Sequence, residues 1–516
     1  MTRVRVGAFV AVVGALLATA PAQAGPPGTW TRVTGPPQHR SVNTEEPGLA
    51  RTDDGVLHIA HAERRPDAGL LWHRAISADA KAVIGPHQIA QLRTINPRVA
   101  LGRTQSGGLR VFFAGLDDAA GFDGFMLTSS SGADGTAWTP PAPASSTLTG
   151  GRSPVYVASG LDAAPAADGT PVVIWGDSSP GAAGTHAGYD PATPDTRLRP
   201  GERRCCIGNP VVALEPQTGT VWAAWVNIID DRVIEVGPLG GAPLAAPASA
   251  AAQLQTRLGL VGRGAGGVYL AYVTGTNLFS GSPALWRVGD PQPMVVPGQR
   301  GAQNVGLAPG PDGRLWMFWP RKKRIVATRT NRDATAFGAL VSPRSPQGTT
   351  TLFRVVGEGS QGPLDVLGLF RRGGSDLGYW HQRLQPGLTL EAPATVDAGD
   401  SVTLRVTDAG DPVAGAKVTL KLGGAESDGS TGADGRVELS VPAKTKPGSV
   451  APPVWYARRI LDRDGCEDVP IERKGTRPPK RRRIVAQRPK AGTPLYAGDA
   501  VVVRLEPPRR SSRSRT

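Results

Sequence analysis

Between Glu46 and Leu369 one pattern recurs seven times: a short apolar strand, turn residues around a glycine, then a second apolar strand rich in Val, Trp and Phe. The copies begin near Pro47, Pro97, Pro154, Pro210, Thr256, Asn304 and Leu352, a spacing of about 50 residues, which is the length of one four-stranded propeller blade. A repeat unit this short cannot bury its apolar face alone. It must stack on its neighbours, so the spacing predicts a ring of radially packed sheets.

The second strands align on their turn glycines, Gly55, Gly107, Gly169, Gly219, Gly266 and Gly313, with the copy around Gly362 looser. Six residues after each of the first six stands His61, Phe113, Trp175, Trp225, Tyr272 or Trp319. The two-residue period of a strand puts these side chains on one face, where they are expected to wedge between adjacent sheets. Third strands follow, as at 70–76, 124–130, 233–239, 284–288, 325–330 and 377–384. A strand at 29–33 is expected to complete the last sheet and close the ring. The reading is a mainly β chain with a propeller over 28–384, seven-bladed with six blades as the alternative.

Upstream, Arg3 and Arg5 precede an apolar run from Val6 to Ala18 and the small residues around Ala22-Gln23-Ala24, the layout of a secretory leader over residues 1–24. The run is shorter than a membrane span requires, so an exported, extracellular or wall-associated protein without a transmembrane segment is expected. The net charge is +15, yet 451–516 alone holds 17 Lys and Arg against 7 Asp and Glu. Basicity confined to one end of an exported chain points to an anionic wall polymer or lipid surface, not to nucleic acid. Of three cysteines, Cys205 and Cys206 are adjacent and Cys466 stands alone; a vicinal disulfide or two buried thiols are the alternatives for the pair.

After Pro386 the period stops. Alternating strands at 388–390, 401–407, 416–422 and 436–441, with turns at 411–415 and 432–435, predict a small β-sandwich over 386–442. A Lys/Pro/Gly linker follows. A short helix at 457–461 and strands at 484–486 and 500–505 then predict a compact α+β module over 450–507, ahead of a basic tail at 508–516 whose composition predicts disorder.

Three resemblances bear on these segments. The run from Asp411 to Leu420, with Ala433 to Leu439, resembles bacterial Ig-like modules, which usually act as spacers. The run from Ile484 to Leu505, with Gln487, Pro489, Gly492 and Gly498 in place, resembles the second half of a PASTA domain. That likeness implies attachment to peptidoglycan, with Arg458, Arg459, Gln487 and Arg488 facing a muropeptide carboxylate or amide, since Arg offers a planar two-pronged donor and Gln a donor and acceptor pair. The repeats resemble sialidase-type propellers of the BNR class through an Asp-box-like run, with Ser131, Gly135 and Trp138 keeping their spacing; the box shapes a hairpin and performs no catalysis.

A sialidase needs three arginines converging on a carboxylate, an acidic Asp, and a Tyr activated by Glu. Its first-arginine signature is replaced here by Thr44-Glu45-Glu46-Pro47-Gly48-Leu49-Ala50. No G-x-S-x-G elbow, P-loop or H-E-x-x-H occurs. His58 and His61 fall on opposite faces of a strand and cannot share a metal, and the adjacent Glu45 and Glu46 point apart. The sequence therefore points to a binding protein with no cofactor, no metal and no assignable catalytic residue: peptidoglycan or another anionic wall polymer at the C-terminal module, and an unidentified ligand on the propeller. A sialidase-like glycan hydrolase or lyase is the alternative. Three arginines beside a Tyr–Glu pair at the propeller centre would favour the enzyme.

Overall fold

Each turn glycine of the repeats adopts the left-handed conformation that a tight hairpin between first and second strands demands, from φ +70° at Gly219 to +111° at Gly362. In the computed structural model the described residues are 11–15, 29–34, 46–117, 122–144, 160–169, 171–177, 184–188, 196–197, 207–227, 233–249, 257–276, 280–374, 376–393, 399–422, 425–441, 484–488 and 502–505. They contain strands and one 3-10 turn but no α-helix, and so no helix long and apolar enough to cross a membrane. The chain divides into two units, one holding 22–337 and 345–384, the other 1–21, 338–344 and 385–516.

The first unit is a β-propeller. Among the described residues it has seven antiparallel sheets in chain order, six of four strands and one of three. Their first strands, Gly48–Arg51, Thr94–Arg103, Leu161–Pro165, Ile207–Glu215, Gly259–Gly262, Gly306–Pro309 and Thr349–Glu358, lie side by side in sequence, and the last returns to the first. Thr31–Arg32 pairs with the third strand of the last sheet, Thr31 opposite His381, so one sheet is built from both ends of the unit. The first strand of the third repeat is described from Leu161, and its expected start near Pro154 lies outside the described residues.

Burial follows the wedge pattern. His61, Phe113, Trp175, Trp225, Tyr272 and Trp319 are all buried. Each apolar cluster draws on two successive sheets: Leu71 and Ile89 with Phe113 and Leu127, for example, or Val273 and Leu285 with Met317 and Trp319. The core is thus a set of interfaces between sheets, as a ring of units with no private core requires. Close approach of first strands depends on missing side chains: a Cβ on Gly48 would lie 2.5 Å from the Leu101 nitrogen, and one on Gly259 2.5 Å from that of Leu307.

In the second unit, Thr389–Glu391, Ser401–Asp408, Asp411–Pro412 and Arg436–Ser440 form one sheet, and Ala416–Leu422 with Ala425–Ser430 another. The two sheets share a core of Val402, Leu404, Val406, Val418, Leu420, Val437 and Leu439, making a small sandwich. The strand Ala425–Ser430 escapes the sequence pattern because Glu426, Ser427 and Asp428 break its alternation. Ala11–Ala15, inside the expected leader, pairs along Ala416–Leu420. Ile484–Arg488 pairs antiparallel with Val502–Leu505. The rest of the expected leader, the helix at 457–461 and the tail at 508–516 lie outside the described residues.

Candidate anion-binding site

All seven first strands line a channel of about 230 Å³ on the axis of the propeller. Glu46 and Arg257, just ahead of their strands, and Asp162, near the start of its own, place charged side chains in that lining. Glu46 is stitched to the next sheet, its N–H donating to the Pro97 carbonyl at 3.1 Å and its own carbonyl accepting from Val99 N–H at 2.9 Å. The pairing is parallel, which shows that the two first strands run in the same direction.

Two further arginines stand behind this lining. Arg98 lies within the register shift between Ile95 and Val99, and Arg354 just past the shift after Leu352. Such bulges turn side chains out of the ordinary alternation. Both arginines are buried, 5% and 2% exposed, and both act electrostatically on Glu46. Arg257 forms an ion pair with Glu46 and is the accessible member, its side chain 24% exposed.

The electrostatics follow from this geometry. Burial on its own would raise the Glu46 carboxyl, but Arg257, Arg354 and Arg98 together overcome it and hold Glu46 below the ordinary carboxylate range. Asp162 goes the other way. Burial, with some help from the Glu46 charge, pushes it up to about 6, against the opposing pull of Arg257 and of the Val212 N–H that it accepts at 3.0 Å. Burial also lowers Arg98 to about 10, which leaves it charged at neutral pH. Among the described residues three cations therefore face two carboxylates, Glu46 firmly ionised and Asp162 mostly ionised at neutral pH, so this group is net positive; Glu358, at the other end of its strand in the lining, is paired with Arg51. No tyrosine lines the channel among the described residues.

Of these residues only Glu46 was named from the sequence, as one of an adjacent pair of carboxylates; Arg98, Asp162, Arg257 and Arg354 were not singled out, although a signal existed. Glu46, Arg98 and Arg257 stand directly beside Pro47, Pro97 and Thr256, where copies begin, and Arg354 two residues past Leu352. Counted back from the turn glycines, Glu46, Arg98 and Arg257 each stand nine residues before Gly55, Gly107 and Gly266, and Arg354 eight before Gly362.

The other residues that were singled out lie elsewhere. Ser131, Gly135 and Trp138 form the hairpin after the third strand of the second sheet: Ser131 and Trp138 are bridge partners, and Trp138 Nε1 donates to the Gly135 carbonyl at 2.8 Å. An equivalent hairpin that the sequence did not reveal occurs in the sixth sheet, where Thr330 bridges Phe337 and Ala334 takes the left-handed place of Gly135. His58 and His61 do face opposite ways, the first stacking on His73 and the second packing against Tyr379. Cys205, Cys206, Arg458 and Arg459 lie outside the described residues; Gln487 and Arg488 belong to the paired strand Ile484–Arg488, their side chains not described.

No protein-family model matches the chain, and no curated protein matches it. Among solved structures it is similar to the intramolecular trans-sialidase from Ruminococcus gnavus, with 9% identity and a TM-score of 0.39 over 57% of this chain and 92% of that one. It is also similar to the α-L-arabinanase of Penicillium chrysogenum, with 14% identity and a TM-score of 0.38 over 69% and 98%. For the fungal lectin of Aleuria aurantia, a six-bladed propeller that recognises fucose, the figures are 10% and 0.34 over 79% and 98%. At such distances function has to be read from the residues of the channel itself.

Proposed function

We propose that the protein is an exported binding protein whose propeller holds a carboxylate-bearing glycan at the channel head, with Arg257 making the contact and Arg98 and Arg354 supplying the field behind it. The observation that carries this reading is the convergence of three guanidinium groups on Glu46, leaving a net positive, partly enclosed site. A guanidinium in a low-dielectric surround is a strong and directional partner for a carboxylate. The finer architecture belongs to the same reading: seven blades, an Ig-like spacer, and a PASTA-like module that docks on peptidoglycan through Arg458, Arg459, Gln487 and Arg488. The test of the propeller is calorimetric titration with galacturonic acid and with galactose, which differ at one carboxylate. Binding of the acid alone supports the proposal, and equal binding or none removes it. The test of the module is co-sedimentation with peptidoglycan, where a chain ending at Lys444 should stay in solution.

A second reading is favoured by one observation, the opposite displacement of Glu46 and Asp162. Two carboxyl groups driven apart in this way are the usual preparation for an acid and a base. Under it the protein is a sialidase-like glycan hydrolase or lyase with Asp162 as proton donor. Release of reducing ends from a carboxylated glycan, lost in Asp162→Asn, would select it.

A further inference from the structure

The sixth sheet carries four cations at one hairpin tip. Its second strand, Leu315–Arg321, and third strand, Arg324–Arg329, are joined by Lys322 and Lys323, with Arg321 opposite Arg324. Local folding physics disfavours this choice twice. Like charges directly opposite in a ladder repel, and Lys322 sits at φ +54°, where glycine or asparagine is the ordinary occupant of a two-residue turn. Such departures from local preference are expected where function demands them.

The tip is held in place and its charge is uncompensated. Arg321 Nη1 donates to Gln299 Oε1 at 3.1 Å, and the Lys323 carbonyl accepts from Ser345 Oγ. Next to Gln299 stands Arg300, also exposed. Among the described residues none of Arg300, Arg321, Lys322, Lys323 and Arg324 has an ion-pair partner, although elsewhere in the unit exposed arginines such as Arg32, Arg65 and Arg103 do.

Topology puts this patch on the rim of the channel head. The second strand of the sheet runs antiparallel to the first, so its end at Arg321 lies at the level where Gly306–Pro309 begins. That is the end at which Glu46 and Arg257 precede their own first strands. Arg300, in the connection leading into Gly306, belongs to the same rim.

We infer that this rim is a docking surface for a linear polyanionic polysaccharide, one of whose carboxylates enters the channel while the following ones lie along the tip from Arg321 to Arg324 and Arg300. The inference rests on the carboxylate reading of the channel and extends it from a single sugar to a polymer. Exposed cations in a row gain from a partner with repeated charge, because each contact releases counterions and the terms accumulate.

The test compares polygalacturonate with galacturonic acid on the full chain and on a Lys322→Gly/Lys323→Ser double variant. Of the two turn residues only Lys322 has a positive φ, and a glycine followed by a small polar residue suits such a turn, so the variant should melt at the same temperature or above. Its polymer affinity should fall about tenfold, the effect of two exposed charges, with monomer affinity within twofold of the parent. Polymer affinity unchanged in the double variant, an equal loss for the monomer, or duplex DNA of equal charge bound as tightly as the polyuronate would each overturn the inference. Polymer binding without monomer binding would instead remove the channel reading and leave the rim.

Discussion

Arg51 and Asp365, 314 residues apart in the chain, form an ion pair with side chains only 4% and 2% exposed. Asp365 also meets His381 Nε2 at 2.8 Å and accepts from Arg383 Nε at 3.0 Å, and Arg51 donates to the Gly55 carbonyl at 2.8 Å and pairs with Glu358. The first and last sheets are thus joined by charge as well as by the shared strand at Thr31. Asp365→Asn leaves Arg51 and Arg383 short of a partner in a buried site and is expected to cost about 3–5 kcal/mol, read by urea unfolding of the full chain.

The same carboxylate makes stability acid-sensitive. Burial alone would raise it, but His381, Arg383 and Arg51 hold Asp365 well below the carboxylate range. A lowered folded-state value gives stability that is present above the unfolded value of about 3.9 and is lost as pH falls below it. Asp365→Asn should flatten this part of the stability profile.

A second acid response starts nearer neutrality. His58 Nδ1 and His73 Nε2 are 2.9 Å apart, and His58 Nε2 lies 3.0 Å from Thr52 Oγ1, whose hydroxyl donates to Asp54 at 2.6 Å. That chain is satisfied by neutral rings and leaves buried His73 Nδ1 without a hydrogen bond. Burial, then the neighbours His58 and His87, lower His73 to about 3, against a weaker pull from Asp134; burial also lowers His58. Protons therefore bind the unfolded chain first, and stability should fall from about pH 6.5 downward, by at most about 1.4 kcal/mol per pH unit for each proton. In His73→Gln this slope should shrink, measured by urea midpoints between pH 7 and 4.

The hairpin beside these rings depends on Gly135. Its φ is +67°, and a Cβ there would lie 2.3 Å from His73 Cε1. Gly135→Ala combines backbone strain with overpacking and should destabilise by about 3 kcal/mol, whereas Ala334→Gly in the matching hairpin should be neutral or stabilising. Thermal unfolding of the two variants distinguishes the sites.

Ligand binding should carry the signature of Asp162. Protonation near pH 6 removes a negative charge from the channel head, so affinity for a carboxylate should rise as pH falls through 6 while the ligand, with a lower pKa, stays ionised. Asp162→Asn should bind at pH 7.5 as the parent does at pH 5.5 and lose the dependence, as calorimetry at the two pH values would record.

Glycine and aromatic spacing made the ring legible, because each turn glycine is required by a positive φ and each aromatic by the gap between sheets. Both demands recur with the repeat. The charged head of the channel recurs in position, with Glu46, Arg98 and Arg257 each nine residues before a turn glycine, but not in residue type. Arg98 and Arg354 are aimed by bulges, which shift side-chain direction without changing the residues around them, and a charge beside a proline reads as an ordinary solvated turn. Gly160, at φ +150°, likewise brings its backbone close to Pro210 of the next sheet, a contact made in space and invisible in spacing.

The most direct measurement of the central claim is titration of galacturonic acid into the parent protein and into Arg257→Gln, at low salt and pH 6. Arg257 is partly exposed, so its loss should leave the fold intact, as unfolding of the same samples would verify. The account predicts saturable binding to the parent and at least a tenfold loss in the variant. Equal affinity for both proteins, or no binding by the parent, would contradict it.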